Sequence, residues 1–215
     1  MLLLLFSITL CGSLILTAQQ PEARVKFKTN KGSFTIKLYN ETPLHRDNFL
    51  QVVREGTYDD MLFHRVIRNF MVQAGGALKG DDGTQYQKVE AKHPHLIPAE
   101  FCYPTLFHKR GAVAAARVGD EKNPDQASDP IQFYITIGQF YLEEELRAMA
   151  GGKEMPPHVL EAYKTEGGTP HLDKAYTVFG EVIEGWKTIE KIEQVQTDDS
   201  DRPLKDVVII SATIL

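Results

Sequence analysis

The alternation of apolar and polar residues predicts a β-hairpin early in the chain. Apolar residues occupy every second position from Val25 to Phe27, and again from Phe34 to Leu38. A period of two residues is typical of a strand with one buried face. Asn30-Lys31-Gly32 lies between the two stretches and is typical of a tight turn. We therefore expect two antiparallel strands here.

Two helices are predicted by apolar residues at helical spacing. Thr42 and Pro43 supply an N-cap and a first helical residue, an apolar face runs over Phe49–Val53, and Gly56 ends the helix. A second helix is predicted from about Trp186 to Glu193, with Trp186, Ile189 and Ile192 facing inward.

The remaining predicted strands are short apolar stretches bounded by turn residues. They cover Phe63–Ile67, Phe70–Gln73, Gly111–Ala116, Gln132–Ile137, Thr177–Ile183 and Val207–Leu215. Parallel strands would need a helical crossover after each strand, and the predicted helices are too few. An antiparallel sheet or a closed barrel is therefore expected, which makes the fold mainly β.

One segment, 139–170, interrupts the strand pattern. Glu143–Glu145 is typical of the first turn of a helix, and Gly151-Gly152 of its end. A second short helix is predicted from Pro157 to about Lys164. We interpret 139–170 as a helical insertion between two strands, on which the barrel core does not depend.

Composition narrows the class of protein. The chain has 215 residues, of which 42% are hydrophobic and 25% charged, as expected for one globular domain with additional segments. We assign that domain to residues 24–215. The net charge of -5 argues against nucleic acid as the main partner, because sequence-independent binding of nucleic acid needs clustered positive charge.

The N-terminal segment Met1–Ala18 contains no charged side chain. Its length and its Ser, Thr and Gly residues favour a secretory signal peptide over a membrane span, with cleavage after Ala18. We therefore expect export to the periplasm or cell envelope and no stable membrane span after cleavage. An uncleaved N-terminal anchor and a lipoprotein attached through Cys11 stay open as alternatives.

No metal, cofactor or nucleophile is predicted. The seven histidines and the Asp81-Asp82-Gly83 turn lack the spacing of metal ligands, and no glycine-rich turn opens a helix after a strand. Removal of the signal would leave Cys102 as the only cysteine, without a neighbouring base. A structural thiol is the better interpretation.

Four segments, in this order along the chain, resemble the cyclophilin family of peptidyl-prolyl isomerases. They are FHRVIRNFMVQAGG at 63–76, GAVAAAR at 111–117, QFYI at 132–135 and VFG at 178–180. The resemblance extends from about Val25 to the C-terminus, apart from the insertion, and suggests an exported, bacterial-like member. It implies a closed eight-stranded antiparallel β-barrel capped by two α-helices, in agreement with the predicted elements.

The resemblance also implies a site and a reaction. Arg65, Phe70, Met71 and Gln73 would be the catalytic residues. Ala116, Arg117, Tyr134, Leu172 and Tyr176 would bind the substrate, a proline-containing polypeptide segment. Rotation about an Xaa-Pro bond has a barrier of roughly 18–20 kcal/mol. Because the twisted bond returns its lone pair to the proline nitrogen, a donor such as Arg65 stabilises the twisted state, without a cofactor or proton transfer.

The sequence departs from the common family pattern at four positions. Tyr134 stands where phenylalanine is usual and Arg117 where asparagine is common, while His171 and Tyr176 stand at the usual tryptophan and histidine positions. We expect Tyr134 to be a mild change. Because His171 presents less aromatic surface, we expect weak cyclosporin affinity with isomerase activity retained.

Two other functions stay open at this point. One is a catalytically weak peptide-binding or chaperone module that uses the same groove, supported only by the departures from the family pattern. The other is a small-molecule carrier, since closed β-barrels often hold ligands. Nothing in the sequence demands an oligomer, and we expect a monomer.

Overall fold

The computed structural model describes residues 21–215, and the predicted signal segment Met1–Ala18 lies outside the described residues. The fold is mainly β. Eight strands follow one another along the chain: β1 (Arg24–Thr29), β2 (Gly32–Leu38), β3 (Met61–Ile67), β4 (Met71–Leu78), β5 (Ala112–Ala115), β6 (Phe133–Thr136), β7 (Val178–Glu184) and β8 (Ile209–Ile214). Every strand predicted from the sequence is confirmed, with ends displaced by one or two residues, except that β4 continues five residues beyond the predicted end at Gln73.

The strands form one antiparallel sheet in the order β3-β4-β6-β5-β7-β2-β1-β8. Its two edge strands meet. Phe63 donates its backbone N–H to the carbonyl of Val207 at 2.9 Å, and Leu62 forms a bridge with Val208. The sheet is therefore a nearly closed barrel, which leaves little exposed strand edge for association with other chains.

The barrel core is aromatic. Phe27 stacks on Phe34 with ring centroids 5.0 Å apart, and Phe49 meets Phe133 edge to face at 5.4 Å. These side chains are almost fully buried together with Tyr58, whose hydroxyl donates to the carbonyl of Ile131. No side chain of the insertion belongs to this described core.

Two helices close the barrel as predicted. Helix α1 (Pro43–Arg54) buries Phe49 and its apolar neighbours, and α5 (Trp186–Glu193) buries Ile189 and Ile192 completely. Trp186 is only half-buried, and the guanidinium of Arg110 lies over its ring.

The side chain of Thr42 does not cap α1, contrary to the prediction. Thr42 occupies the N-cap position, but its hydroxyl makes no hydrogen bond within the described residues. The carboxylate of Glu100 instead accepts the backbone N–H groups of Leu44 and His45 at 3.1 and 3.0 Å. A charged acceptor at this position also interacts favourably with the helix dipole.

A further helix, α2 (Thr84–Lys92), was not predicted. Its sequence carries no strong apolar stripe, and accordingly none of its residues is fully buried. Asp81 accepts the backbone N–H groups of Gln85 and Tyr86 and thereby starts the helix.

The insertion is a helical hairpin, as predicted. It contains α3 (Glu143–Met149) and α4 (Pro157–Thr165), whose buried residues Leu146, Val159 and Tyr163 form a separate small core. Gln139 and Gly168 exchange backbone hydrogen bonds at its base. At Gly138 a Cβ atom would lie 2.1 Å from the carbonyl oxygen of Gly168, so only glycine permits this approach.

Candidate functional site

A groove of about 180 Å³ lies on the outer face of the sheet near β3, β4 and β6. We call it the central groove, and nine residues line it. They are Arg65, Phe70, Met71, Gln73, Ala116, Arg117, Tyr134, Leu172 and Tyr176. All nine site residues named from the sequence thus lie around one depression, although the chain separates the first from the last by more than 100 residues.

The register of three adjacent strands places Arg65, Gln73 and Tyr134 side by side in the groove. Arg65 on β3 pairs with Gln73 on β4, and Gln73 pairs with Tyr134 on β6. Paired residues of antiparallel strands project their side chains from the same face of the sheet. The barrel therefore aligns a guanidinium, an amide and an aromatic ring across three adjacent strands.

Arg65 is half-exposed and held at one nitrogen. Its Nε donates to Oδ2 of Asp201 at 3.3 Å, and its side chain is 45% exposed. The backbone carbonyl of Asp201 in turn accepts the N–H of Val66 at 2.9 Å, which fixes the loop against β3. Among residues 21–215, no other hydrogen bond restrains the guanidinium, so its remaining N–H groups are free to donate to a ligand.

Gln73 is oriented by a chain of hydrogen bonds behind it. Its Nε2 donates to Oε1 of Gln132 at 3.0 Å, and Nε2 of Gln132 donates to Oδ2 of Asp129 at 3.1 Å. Asp129 is itself held by the backbone N–H groups of Ile131 and Gln132. The side-chain carbonyl oxygen of Gln73, Oε1, accepts no hydrogen bond from the described residues and can accept one from a ligand.

The apolar wall consists of Phe70, Met71, Leu172 and Tyr176 around the ring of Tyr134. Phe70 stacks on His171, with ring centroids 5.5 Å apart. Partial burial, with a smaller contribution from nearby His108, lowers the pKa of His171, which favours the neutral ring. The end of the wall beside Phe70 is therefore uncharged at neutral pH.

The hydroxyl of Tyr134 is engaged by the protein. It lies 2.9 Å from Nε2 of His108, whose Nδ1 lies 2.9 Å from Oδ1 of Asp173, and Tyr163 donates to the second oxygen of Asp173 at 2.7 Å. His108 is 1% exposed and the side chain of Asp173 8% exposed. Burial keeps the pKa of Tyr134 well above its usual range, so the hydroxyl stays protonated.

Arg117 shapes the groove with an immobilised side chain. Its guanidinium donates to the carbonyls of Ala175 and Val118 at 2.7 and 3.0 Å, lies over the ring of Tyr176, and belongs to a side chain that is only 3% exposed. It also pairs with Asp120. Little of this charge is left for a ligand.

The backbone near Arg117 offers one free pair of hydrogen-bonding groups. The barrel uses both groups of Ala116, whose N–H donates to Gln132 and whose carbonyl accepts from Asp129. In the part of the chain that the structure describes, the N–H and carbonyl of Arg117 make no hydrogen bond. One backbone donor and one backbone acceptor at Arg117 are therefore available beside the groove.

The supporting residues were not found from the sequence. Asp201, Gln132, His108 and Asp173 hold the groove in shape but belong to four separate loops or strand ends. The His108–Asp173 pair is a buried histidine beside a carboxylate, which is a common arrangement in proteins. No periodicity or spacing links His108 to Asp173, however, because they are 65 residues apart.

Groups suited to metal binding or thiol chemistry are absent from residues 21–215. No cluster of three or more His, Cys, Asp or Glu side chains could hold a metal ion there. Cys102 is half-buried, and burial together with Glu100 and Glu41 raises the pKa of its thiol. This environment disfavours a reactive thiolate. None of the helices among these residues has the length and apolar character needed to span a membrane.

The chain is similar to proteins of one family. Residues 24–214 match the family model described as cyclophilin type peptidyl-prolyl cis-trans isomerase. A protein of Staphylococcus aureus (strain USA300) named putative peptidyl-prolyl cis-trans isomerase is 35% identical over 197 residues, which cover 91% of this chain and 93% of that protein. A Staphylococcus epidermidis protein of the same name is 36% identical over the same length.

Solved structures show the same fold. The crystal structure of a Cryptosporidium parvum cyclophilin type peptidyl-prolyl cis-trans isomerase superposes with a TM-score of 0.65 at 22% identity, covering 91% of this chain and 98% of that chain. A second structure of that protein, obtained in the presence of the dipeptide Ala-Pro, gives a TM-score of 0.63. At this identity the likeness concerns the fold alone.

Proposed function

Because this chain belongs to the cyclophilin-type peptidyl-prolyl cis-trans isomerase family, we propose that the central groove binds an Xaa-Pro segment and lowers the barrier to its rotation. The proline ring lies against Phe70, Met71 and Leu172, with the ring of Tyr134 as the floor. Arg65 lies at the polar side of this pocket, in reach of the imide nitrogen of a proline held there.

Catalysis comes from a hydrogen bond that strengthens as the bond twists. In the planar imide the nitrogen lone pair is delocalised and accepts poorly. At the twisted geometry the lone pair is localised on nitrogen, and a guanidinium N–H of Arg65 donates to it. Acceleration from tens of seconds to milliseconds requires about 10⁴- to 10⁵-fold, or roughly 5.5 to 7 kcal/mol. The fixed donor and the fixed ring supply this together.

The flanking peptide is held by polar groups on the other side of the groove. The side-chain carbonyl oxygen of Gln73 accepts a substrate N–H. The backbone N–H and carbonyl of Arg117 form hydrogen bonds with the residues before the proline. These groups hold one part of the peptide while the other part rotates. No step transfers a proton or forms a covalent bond.

The observation that carries this proposal is the position of Arg65. Its guanidinium is half-exposed, is bound only through Nε to Asp201 within the described residues, and lines the same groove as four apolar side chains. A guanidinium that served only as a surface ion-pair partner would have no need of an adjoining apolar pocket.

The test is cis-trans exchange of an Ala-Pro peptide followed by NMR. We expect acceleration by the natural protein and a loss of at least two orders of magnitude in kcat/KM for Arg65→Ala, equivalent to about 2.7 kcal/mol of transition-state stabilisation. Arg68→Ala is the matched control, because Arg68 is exposed, lies three residues away and does not line the groove. Tight peptide binding without acceleration would contradict the proposal and favour a peptide-binding module.

We also propose that the substrates are proteins folding outside the cytoplasm. The support is the uncharged segment Met1–Ala18 with a small residue at its end, the pattern of a secretory signal. Cell fractionation and N-terminal sequencing of the mature protein test this. A protein recovered from the cytoplasm with Met1 intact would contradict it.

A further inference from the structure

A second, larger depression adjoins the central groove and is built mainly by the insertion. Its volume is about 420 Å³. We call it the flanking groove. Its apolar surface includes Tyr103 together with Met149 and Met155 of the insertion, and its charged rim includes Lys153 and Lys174. Nothing in the chemistry proposed above uses these residues.

The two grooves share one wall. His171 lines the flanking groove and stacks on Phe70, which lines the central groove. The next residue, Leu172, lies in the central groove. Since an extended chain advances about 3.3 to 3.6 Å per residue, a peptide leaving the proline pocket past His171 reaches the flanking groove within a few residues.

The charge of the flanking groove is positive where it is accessible. Lys153 and Lys174 form no ion pair with any described carboxylate, although the ammonium of Lys174 lies 4.3 Å from the centroid of the Tyr103 ring. Of the two acids that line the groove, Asp173 is already hydrogen-bonded to His108 and Tyr163. Among the described residues that line the groove, Glu154 is the only exposed acid, so the exposed ammonium groups of Lys153 and Lys174 lie beside one exposed carboxylate.

From this geometry we propose that the flanking groove is a subsite for substrate residues next to the isomerised proline. It takes one large apolar side chain against Met149 and Met155 and favours an acidic over a basic neighbour near Lys153. Methionine side chains adapt to differently shaped partners, which suits a site that meets many client sequences. This proposal rests on the proposed function of the central groove.

The first test compares peptides with one common Ala-Pro core. The core is extended at either end by Leu-Glu, Leu-Lys or Gly-Ser, and kcat/KM is measured by NMR exchange. At one of the two ends, we expect kcat/KM to be two- to fivefold higher with Leu-Glu than with Leu-Lys. A ratio of this size corresponds to one partly screened ion pair. The preference should shrink in 0.5 M salt.

A charge reversal supplies the matched comparison. Lys153→Glu should abolish or invert the preference and leave the rate of the unextended peptide unchanged, because Lys153 lies outside the central groove. Lys28→Glu is the control, since Lys28 is exposed on β1 and lines neither groove. The same Leu-Glu preference in the natural protein and in Lys153→Glu would overturn the proposal.

A binding readout separates this proposal from the proposed function. Methyl-labelled methionine gives four resonances from the described residues: Met71 reports the central groove, Met149 and Met155 report the flanking groove, and buried Met61 reports the fold. We expect the Leu-Glu peptide to shift Met71, Met149 and Met155, and the unextended peptide to shift Met71 alone.

Two outcomes have distinct meanings. If the short peptide is isomerised but no extended peptide shifts Met149 or Met155, the flanking subsite is wrong and the proposed function stands. If the extended peptide shifts Met149 and Met155 without any catalysis, the proposed function is wrong and the flanking groove remains a peptide site.

Discussion

Tyr163, in the insertion, donates its hydroxyl to Oδ2 of Asp173 at 2.7 Å, and this bond ties the insertion to the central groove. The other oxygen of Asp173 accepts from His108, whose second ring nitrogen bonds the hydroxyl of Tyr134. Four polar side chains therefore connect the floor of the groove to helix α4. The insertion is attached to the site by hydrogen bonds as well as by its position in the chain.

Loss of the Tyr163 hydroxyl should destabilise the protein. In Tyr163→Phe the buried carboxylate of Asp173 loses a donor, and hydrogen bonds to charged groups contribute about 1.5–3 kcal/mol. We expect a loss of this size in the free energy of unfolding, measured by urea denaturation. Tyr103→Phe removes a hydroxyl with no hydrogen bond among the described residues and should change stability far less. Equal losses in the two variants would contradict the role of Asp173.

Tyr134→Phe should cost stability while sparing catalysis. The substitution leaves Nε2 of buried His108 without its partner, at a cost of about 1–3 kcal/mol. The ring that faces the groove is retained, so we expect kcat/KM on a short peptide within about threefold of the natural protein. A double-mutant cycle with Tyr163→Phe should give a coupling energy of at least about 0.5 kcal/mol, because both hydroxyls bind one network. Strict additivity would show that the network does not act as a unit.

Asp201 is expected to position the guanidinium of Arg65. Asp201→Asn weakens the charge-assisted hydrogen bond to Nε, and we expect kcat/KM to fall about three- to tenfold. Asp199→Asn is the control, since Asp199 is exposed in the same turn and forms no ion pair within the described residues. The effect of Asp201→Asn should disappear in an Arg65→Ala background. Persistence of the full effect there would mean that Asp201 acts through another residue.

Stability should fall as pH is lowered below about 6.5, because the fold favours the neutral form of two histidines, buried His45 and half-buried His64. Burial lowers the pKa of His45, although Glu100 opposes the shift, and burial together with Arg202 and Arg65 lowers the pKa of His64. The unfolded chain then binds protons near its ordinary pKa of about 6.5 while the folded chain does not, so acid favours unfolding. Melting temperatures between pH 7.5 and 5.5 measure this. His45→Gln should flatten the profile, and an unchanged slope would show that His45 does not contribute.

Cyclosporin is expected to bind weakly. His171 stacks on Phe70 but presents less aromatic surface than the tryptophan usual at this family position. Calorimetry should give a dissociation constant well above the nanomolar range for the natural protein, and His171→Trp should tighten binding by at least tenfold. Nanomolar affinity of the natural protein would contradict the expectation. The short-peptide rate of His171→Trp serves as the control for an intact groove.

Local patterns in the sequence determined most of the secondary structure. The β1-β2 hairpin, α1, α5 and both helices of the insertion follow from periodicity and from turn residues within a few positions. Helix α2 was missed because its sequence lacks a strong apolar stripe, and in the structure none of its residues is fully buried. The nine residues of the central groove came from the family resemblance, because each alone is equally typical of an ordinary core or surface position.

Only the tertiary structure decided which distant groups satisfy one another. Glu100 caps α1 in place of Thr42, Asp201 holds Arg65 across 136 positions, and the Tyr134 hydroxyl pairs with His108. The physical reason is that a buried or charged polar group needs a partner close in space, and the closing of the barrel brings that partner from any part of the chain. Periodicity is a local property and carries no information about such pairs. The sequence by itself therefore determined most of the elements, while the barrel determined the contacts that give the groove its chemistry.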